Sequence, residues 1–531
     1  MNRSKPDVSL KIDRMSNRVM NLGHFLPQIA QRRPEAAALI RGNDTVSFRE
    51  LNRRVESACT ALSKLGVGKG DRILVQSRNS FAMFEAMFTA FRLGAVLVPV
   101  NFRLTEDEVA YIAESSGAKV LVYDPVFKPH RDAALQTRTI DHVISLGPPD
   151  ANEAAWSDLN SGDQPFESCS VDYNDPCWFF FTSGTTGRPK AAVLTHGQMA
   201  FVVTNYLADL FPGLGEQDAS LVVAPLSHGA GIHQIAQVAR GVVSVFPEGE
   251  RFDVEQVFAL IEKHKITNAF TVPTIMKTMV DSEAVDRYDH SSLRHLIYAG
   301  SPTYRVDQQK ALVKLGPCIV QYFGLGEVTG NISVLPSYLH HVDDDVQGHL
   351  GSCGYARSGM QVEIQDEGGS TLARGETGEI CVIGPAVFSG YYNNPEANQK
   401  AFRNGWFRTG DRGHMDEQGF IYITGRESDM YISGGSNIYP REIEEKIMQH
   451  DHVRECAVVG LPDAKWGEVG AVALVVEEGF DQDEFEAWMN SKVASYKVPR
   501  RIELFDQLPT SGYGKITKNL VRAAIAERDE N

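Results

Sequence analysis

The sequence predicts an α/β protein: a large N-terminal domain of layered α/β sheets with a small β-rich subdomain, then a small α+β C-terminal domain. Three observations carry this. Short apolar, β-branched runs alternate with helix-length segments as far as the 320s, the signature of buried parallel sheets between helices. After about residue 350 the chain turns to short strands separated by turn residues. A polar stretch, Gly425-Arg426-Glu427-Ser428-Asp429, then precedes a last segment of mixed period. It reads as a linker and divides the chain into residues 1–427 and 428–531.

The elements follow in order. Ser47 with Glu50 three residues on forms a capping box. Leu51, Val55, Ala58, Leu62 and Leu65 then keep helical spacing, and Gly66 supplies the stop. Residues 72–76 and 95–100 read as buried strands around a helix over 81–93. Strands are expected at 178–181, 191–195, 220–224, 242–246 and 295–298. In the β-rich part, 361–365 and 379–383 are strands. In the last domain Pro440 occupies a first helical turn with Ile443 and Ile447 on one face. Residues 455–461 and 471–476 read as strands and 481–493 as a helix.

Among the 531 residues, 43% are hydrophobic and 23% charged, the composition of a folded globular protein. The formal charge of −16 argues against a nucleic-acid surface, so an anionic ligand must be caught by local positive charge. Seven cysteines are scattered without CxxC spacing, which suits reduced thiols and gives no hint of zinc. No apolar segment approaches the roughly 20 residues of a membrane span. A cytoplasmic protein is expected.

Residues 179–196 read FFFTSGTTGRPKAAVLTH. A buried strand gives way to Thr182, Ser183, Gly184, Thr185, Thr186 and Gly187, then Lys190, before β-prone residues resume. Glycines let backbone N–H groups converge, hydroxyls add donors and lysine adds a mobile charge, which together form a cradle for polyphosphate. A Walker A loop differs in spacing and leads into a helix.

This stretch resembles the phosphate loop of the adenylate-forming superfamily, the acyl-CoA synthetases, adenylation domains and luciferases. The resemblance continues in order through 225–228 (PLSH), 324–327 (GLGE), 405–411 (GWFRTGD), 425–426 (GR), 434–440 (GGSNIYP) and 514–515 (GK), covering about residues 25 to 525. It implies two half-reactions. A carboxylate attacks the α-phosphate of ATP to give an acyl-adenylate and pyrophosphate; a thiol, usually that of coenzyme A, then displaces AMP. It also implies that the last domain is a mobile lid.

Carried over residue by residue, Thr182 to Gly187 and Lys190 would hold the β- and γ-phosphates, and Glu327 would associate with Mg2+. Gly300, Ser301 and Pro302 would form the adenine-side loop, with Gln321, Tyr322, Phe323 and Gly324 alongside and Tyr322 over the base. Asp411 would accept the ribose hydroxyls, a role suited to a two-oxygen acceptor, with Ile423 and Arg426 nearby. Lys515 would be the adenylation lysine, His228 a gate beside the reacting carboxylate, and Ser433, Gly434 and Gly435 would face the site for thiol attack. Gly326 departs from the family's usual threonine and Phe323 from its tyrosine; the volume freed at Gly326 is assigned to the acyl pocket. Serine at 428 replaces the family's hinge aspartate or lysine. Phe201, Thr204, Asn205, residues 228–233, Ser301 and residues 324–331 should wall that pocket, with no arginine demanding a dicarboxylate.

The leading expectation is a carboxylate–CoA ligase for a hydrophobic or aromatic monocarboxylate. Its partners would be that acid, ATP and coenzyme A, with no nucleic acid, no membrane span and room for a homodimer. An adenylating enzyme loading a carrier protein in trans, an oxidative luciferase-like enzyme and a non-catalytic nucleotide-binding relative stay open at this point.

Overall fold

The computed structural model describes residues 17–182, 188–249, 251–301, 303–343, 349–426, 428–510 and 516–529. A seven-stranded sheet runs in the order Lys190–Thr195, Pro176–Thr182, Val96–Val100, Arg72–Gln76, Val120–Tyr123, His142–Ser145 and Ala154–Ala155. It is parallel except for its first strand. A nine-stranded sheet has a parallel centre of Ile319–Phe323, His295–Tyr298, Asn268–Thr271, Ala219–Leu221, Val243–Phe246 and Ala37–Arg41. Antiparallel strands close both of its edges.

Helix Phe81–Leu93 lies in the core between them. Ser80 accepts a hydrogen bond from the Met83 N–H at 3.0 Å, Gly94 ends the helix at φ 68°, and Met83 to Leu93 are all buried. One apolar cluster joins Phe84 and Phe88 of this helix to Trp178 and Phe180 of the first sheet and Ile297 and Val320 of the second. The two sheets thus share a core, and the carboxyl ends of their strands, where open α/β sheets bind ligands, meet.

The expected capping box forms only by half. The Ser47 hydroxyl accepts the Glu50 N–H at 3.2 Å, but the Glu50 carboxylate is taken by Arg53 and Arg54. Leu65 lies at the exposed end of the helix instead of on its buried stripe.

Strands Gln361–Gln365, Gly378–Ile383, Phe402–Arg403, Trp406–Met415 and Ile421–Arg426 form the β-rich sheet. Gly425 and Arg426 therefore belong to a strand rather than to a linker, since Asp411↔Arg426 and Arg412↔Gly425 are ladder pairs. A last sheet holds Tyr431–Ser433, Ser436–Ile438, Val453–Asp463, Gly467–Val476 and Arg501–Leu504. It has its own cores, one of which seats Ile443 and Ile447 of helix Pro440–Ile447.

Candidate active site

The hydroxyl-rich segment is the loop of a hairpin, with Thr182 directly across the ladder from Lys190. Ser183, Gly184, Thr185, Thr186 and Gly187 lie outside the described residues. Thr182 projects to Glu327, its Oγ1 donating to Oε1 at 2.8 Å, and the Tyr391 hydroxyl donates to the same oxygen at 2.9 Å. Glu327 is buried in the short turn Gly326–Val328. Lys190 Nζ stands 5.4 Å from the centre of the Tyr391 ring. The sequence motifs do not single out Tyr391. Burial first, and the Glu327 carboxylate second, push its phenol up, so it stays a donor.

Gly326 corrects the sequence reading. A Cβ there would stand 2.5 Å from Phe180 Cδ1 and 2.9 Å from Thr182 Cγ2. The volume a threonine would fill is therefore occupied by the Phe180 ring and is not free for an acyl group. Phe180 packs on His228 with ring centroids 4.5 Å apart, which puts His228 beside Gly326. At Gly324 a Cβ would collide with the Gly330 backbone, so the turn into Glu327 closes on itself.

Asp411 is 3% exposed. Its Oδ1 accepts from Arg426 Nε at 2.9 Å, while Oδ2 is buried without a hydrogen-bond partner. Burial pushes the carboxyl up and Arg426 opposes the shift. The open acceptor oxygen suits a diol. Ile423 lies three residues before Arg426 on the same strand and is half-buried.

On the adenine side, Gly300 adopts φ 92° and Ser301 is half-buried, while Pro302 lies outside the described residues. Two side chains turn elsewhere. Gln321 Oε1 accepts from Tyr298 and from Gln308, both at 3.2 Å, within a polar network inside the sheet. Tyr322 alternates to the opposite face. Its ring is held among His233, Phe270 and the Arg357 guanidinium, so it cannot cover a base. Phe323, half-buried at the strand end, is the remaining aromatic there.

In the C-terminal domain Ser433 pairs with Ser436, and Gly434 and Gly435 between them take φ 57° and 83°. Such a two-residue turn needs positive φ at both positions. Gly434 N–H donates to the Trp466 carbonyl at 2.9 Å. Thr510 and Ile516 bridge each other, bracketing the segment that holds Lys515, which lies outside the described residues. Tyr304 of the larger domain packs against the C-terminal core that contains Ile443.

Of the residues expected to wall the acyl pocket, His233 and Asn205 are buried and Phe201 is half-buried, while Thr204 is exposed and its hydroxyl donates to the Ala200 carbonyl. Arg357 is fully buried nearby, with its guanidinium carbon 4.8 Å from the Tyr206 ring centre. It follows Tyr355–Ala356, the edge strand of the nine-stranded sheet, far along the chain from Tyr206 and His233.

No cluster of three potential metal ligands exists among the described residues. Six of the seven free cysteines are buried, and no described helix is long and apolar enough to cross a membrane.

A family model described as AMP-binding enzyme matches residues 26–392, and one described as AMP-binding enzyme C-terminal domain matches residues 442–515. The chain is 34% identical over 509 residues to a feruloyl-CoA synthase of an Amycolatopsis species, covering 95% of this chain and 99% of that one. It is 31% identical over 519 residues to a long-chain-fatty-acid–CoA ligase of Mycobacterium tuberculosis, with 94% and 98% covered. Among solved structures, o-succinylbenzoate CoA synthetase from Bacillus subtilis, in complex with its acyl-adenylate intermediate, superposes with a TM-score of 0.82. That match has 29% identity and covers 94% of this chain and 98% of that one.

Proposed function

The chain belongs to the AMP-binding enzyme family, and from that premise we propose that its acid is a hydrophobic, ring-bearing monocarboxylate. The protein is an AMP-forming acid–thiol ligase. In the first step a carboxylate oxygen attacks the α-phosphorus of ATP and the bond to the β-phosphate bridge breaks, releasing pyrophosphate. In the second, the sulfur of coenzyme A attacks the acyl carbon and AMP leaves with the bonding pair. Both steps spread charge over phosphate oxygens, so the protein acts by positioning and charge stabilisation.

The observation that carries the assignment of roles is the junction of Thr182, Glu327 and Tyr391 where the two large sheets meet. One buried carboxylate stands there with Thr182, which pairs with Lys190 across the ladder. That donor set suits Mg2+, which is held through one or two carboxylates and substrate phosphates rather than an all-protein cage; when bound, the ion neutralises the phosphate oxygens. Asp411 takes the ribose and Arg426 braces it, supported by the open Oδ2. His228, resting on Phe180, borders the reacting carboxylate as a packing gate. Lys515 supplies charge at the α-phosphate, and Ser433 to Gly435 make room for the thiol when the lid, residues 428–531, turns. The stacked rings of His233, Phe270 and Tyr322 support a ring-bearing acid.

The test is acid-dependent exchange of pyrophosphate into ATP without coenzyme A, followed by acyl-CoA and AMP formation once it is added. Lys515→Ala should lower exchange on the order of 10²–10³-fold while sparing thioester formation from supplied acyl-adenylate. No exchange with any acid would reduce the protein to a nucleotide binder. Exchange without thioester would point to a carrier protein as acceptor.

A further inference from the structure

Tyr304 stands where a helix starts but does not cap it. It precedes helix Arg305–Leu315 with φ −81° and ψ 152°, and its side chain makes no capping bond. Its carbonyl accepts the N–H groups of Asp307 and Gln308 at 3.1 and 3.2 Å. Serine, threonine, asparagine and aspartate are the residues that serve this position. The phenol goes elsewhere: it packs on the core of the C-terminal domain that contains Ile443, Ile447 and Cys456. Burial first, then the Cys456 thiol and the Glu444 and Glu445 carboxylates, push its pKa well above the usual phenol range, and Arg441 opposes them. All four of these groups belong to the C-terminal domain.

Other contacts join the same two surfaces. The Arg305 N–H bonds to the Glu445 carboxylate. Helix Pro440–Ile447 lies against strand Ile421–Arg426 of the larger domain. A Cβ on Gly425 would stand 3.2 Å from Tyr439 Cδ1, so the ring just before that helix rests on the glycine. The next residue, Arg426, is the ladder partner of Asp411. The helix is thus held at its start beside the carboxylate assigned to the ribose, and further along by Tyr304 and Arg305. Tyr304 also lies three residues past Ser301 of the loop assigned to the adenine, a reach of at most about 11 Å.

A contact made in one orientation of a domain and broken in another shifts the balance between them by its differential free energy. The Tyr304 ring crosses the boundary between the two domains, so turning the C-terminal domain withdraws it from the core around Ile443. We propose that Tyr304 is a positioning residue that couples the adenine-side loop to the lid and favours the orientation in which helix Pro440–Ile447 rests beside Asp411. This rests on the reading of the chain as a carboxylate–CoA ligase with a turning lid.

Tyr304→Ser removes the ring and puts a capping residue at the helix start, so the larger domain should fold as before. Two half-reactions are compared in the full chain: pyrophosphate exchange into ATP with benzoate, phenylacetate or cinnamate, and thioester formation from the matching acyl-adenylate. One should change about 5- to 150-fold relative to the other, the usual range of coupling between two sites. Glu445→Gln, made on the other side of the contact, should move the ratio in the same direction, and Tyr304→Phe, which keeps the ring, should move it least. Should Tyr304→Ser fail to melt cooperatively, Glu445→Gln decides in its place. A second measurement needs no acid: hydrogen exchange in residues 421–426, on which the helix rests, should speed up in Tyr304→Ser. Equal losses in both half-reactions, or an unmoved ratio, would reduce Tyr304 to packing and overturn the proposal. So would unchanged hydrogen exchange in residues 421–426. A wild-type chain inactive with all three acids would instead count against the ligase reading, and hydrogen exchange alone would then decide the role of Tyr304.

Discussion

Replacing Asp411 with asparagine separates nucleotide binding from folding. The substitution keeps the side-chain volume at a site 3% exposed and leaves one acceptor oxygen. It removes the charge and the second acceptor. A hydrogen bond to a charged group contributes about 1.5–3 kcal/mol, and every 1.4 kcal/mol is tenfold. ATP and AMP should therefore both bind about 10- to 150-fold more weakly, because the ribose is common to them. The fold should not suffer, since Asp411 carries a desolvation penalty and its partner Arg426 is 54% exposed, where ion pairs contribute little. The checks are calorimetric titration with each nucleotide and a thermal melt. ATP affinity within twofold of wild type, or a loss for ATP and not AMP, would refute the ribose role.

The same residue sets a pH dependence with a definite sign. Burial raises its pKa above the ordinary aspartate value of 3.8. The ionised form is the better acceptor, so nucleotide affinity should rise as pH rises through the folded pKa. Removing Arg426 takes away the opposing influence, so in Arg426→Ala that rise should move to higher pH. Stability runs the other way. A carboxyl whose folded pKa exceeds its unfolded one favours the fold at low pH, and that contribution is lost as pH rises through the folded value.

Further outcomes are expected elsewhere. Glu327→Gln should lower acid-dependent pyrophosphate exchange on the order of 10²–10³-fold with little change in melting temperature; unchanged exchange across a Mg2+ titration would remove it from the site. Gly326→Thr should overpack Phe180 and cost about 1–3 kcal/mol together with activity, and Phe180→Leu in the same chain should recover part of both; recovery of neither would show that the clash lies elsewhere. Hydrogen bonds from Arg53 pull the Glu50 carboxyl from 4.5 down to about 2. Glu50→Gln should then cost about 1 kcal/mol after solvent screening at neutral pH. Denaturant melts should show the difference shrinking as pH falls from 4.5 toward 2, and a difference that persists at acid pH would contradict the pairing.

The strands on either side of the glycine- and hydroxyl-rich stretch were legible because apolar, β-prone runs are a local property. Strand and helix positions were legible because a period of two or 3.6 is a local property, as in helix Phe81–Leu93. What escaped is settled by neighbours distant in sequence. Ser47 and Glu50 spell a capping box, yet two arginines on the next turn claim the glutamate. Gly326 spells vacant space, yet Phe180 fills it from the other sheet. Tyr322 and Gln321 sit in the expected motif, but strand alternation and the two sheet faces decide where each side chain goes. Arg357 meets Tyr206 and His233 only through the fold.

Strand Pro176–Thr182 shows how one local pattern organises the whole site. Its alternate residues Trp178 and Phe180 face the shared core, while Phe179 and Phe181 face the other side of the sheet. Trp178 closes on Gly231 of the helix that begins beside His228, where a Cβ would stand 2.9 Å from the indole. Phe180, two residues on, meets His228 and Gly326; Thr182, two further, meets Glu327. With about 3.3 Å of rise per residue, these three contacts are spaced along one face of the strand. A one-residue slip would turn all three away from the site. The ladder from Phe179↔Val193 to Thr182↔Lys190 fixes that register, so this hairpin also sets where Phe180 meets His228 and Thr182 meets Glu327.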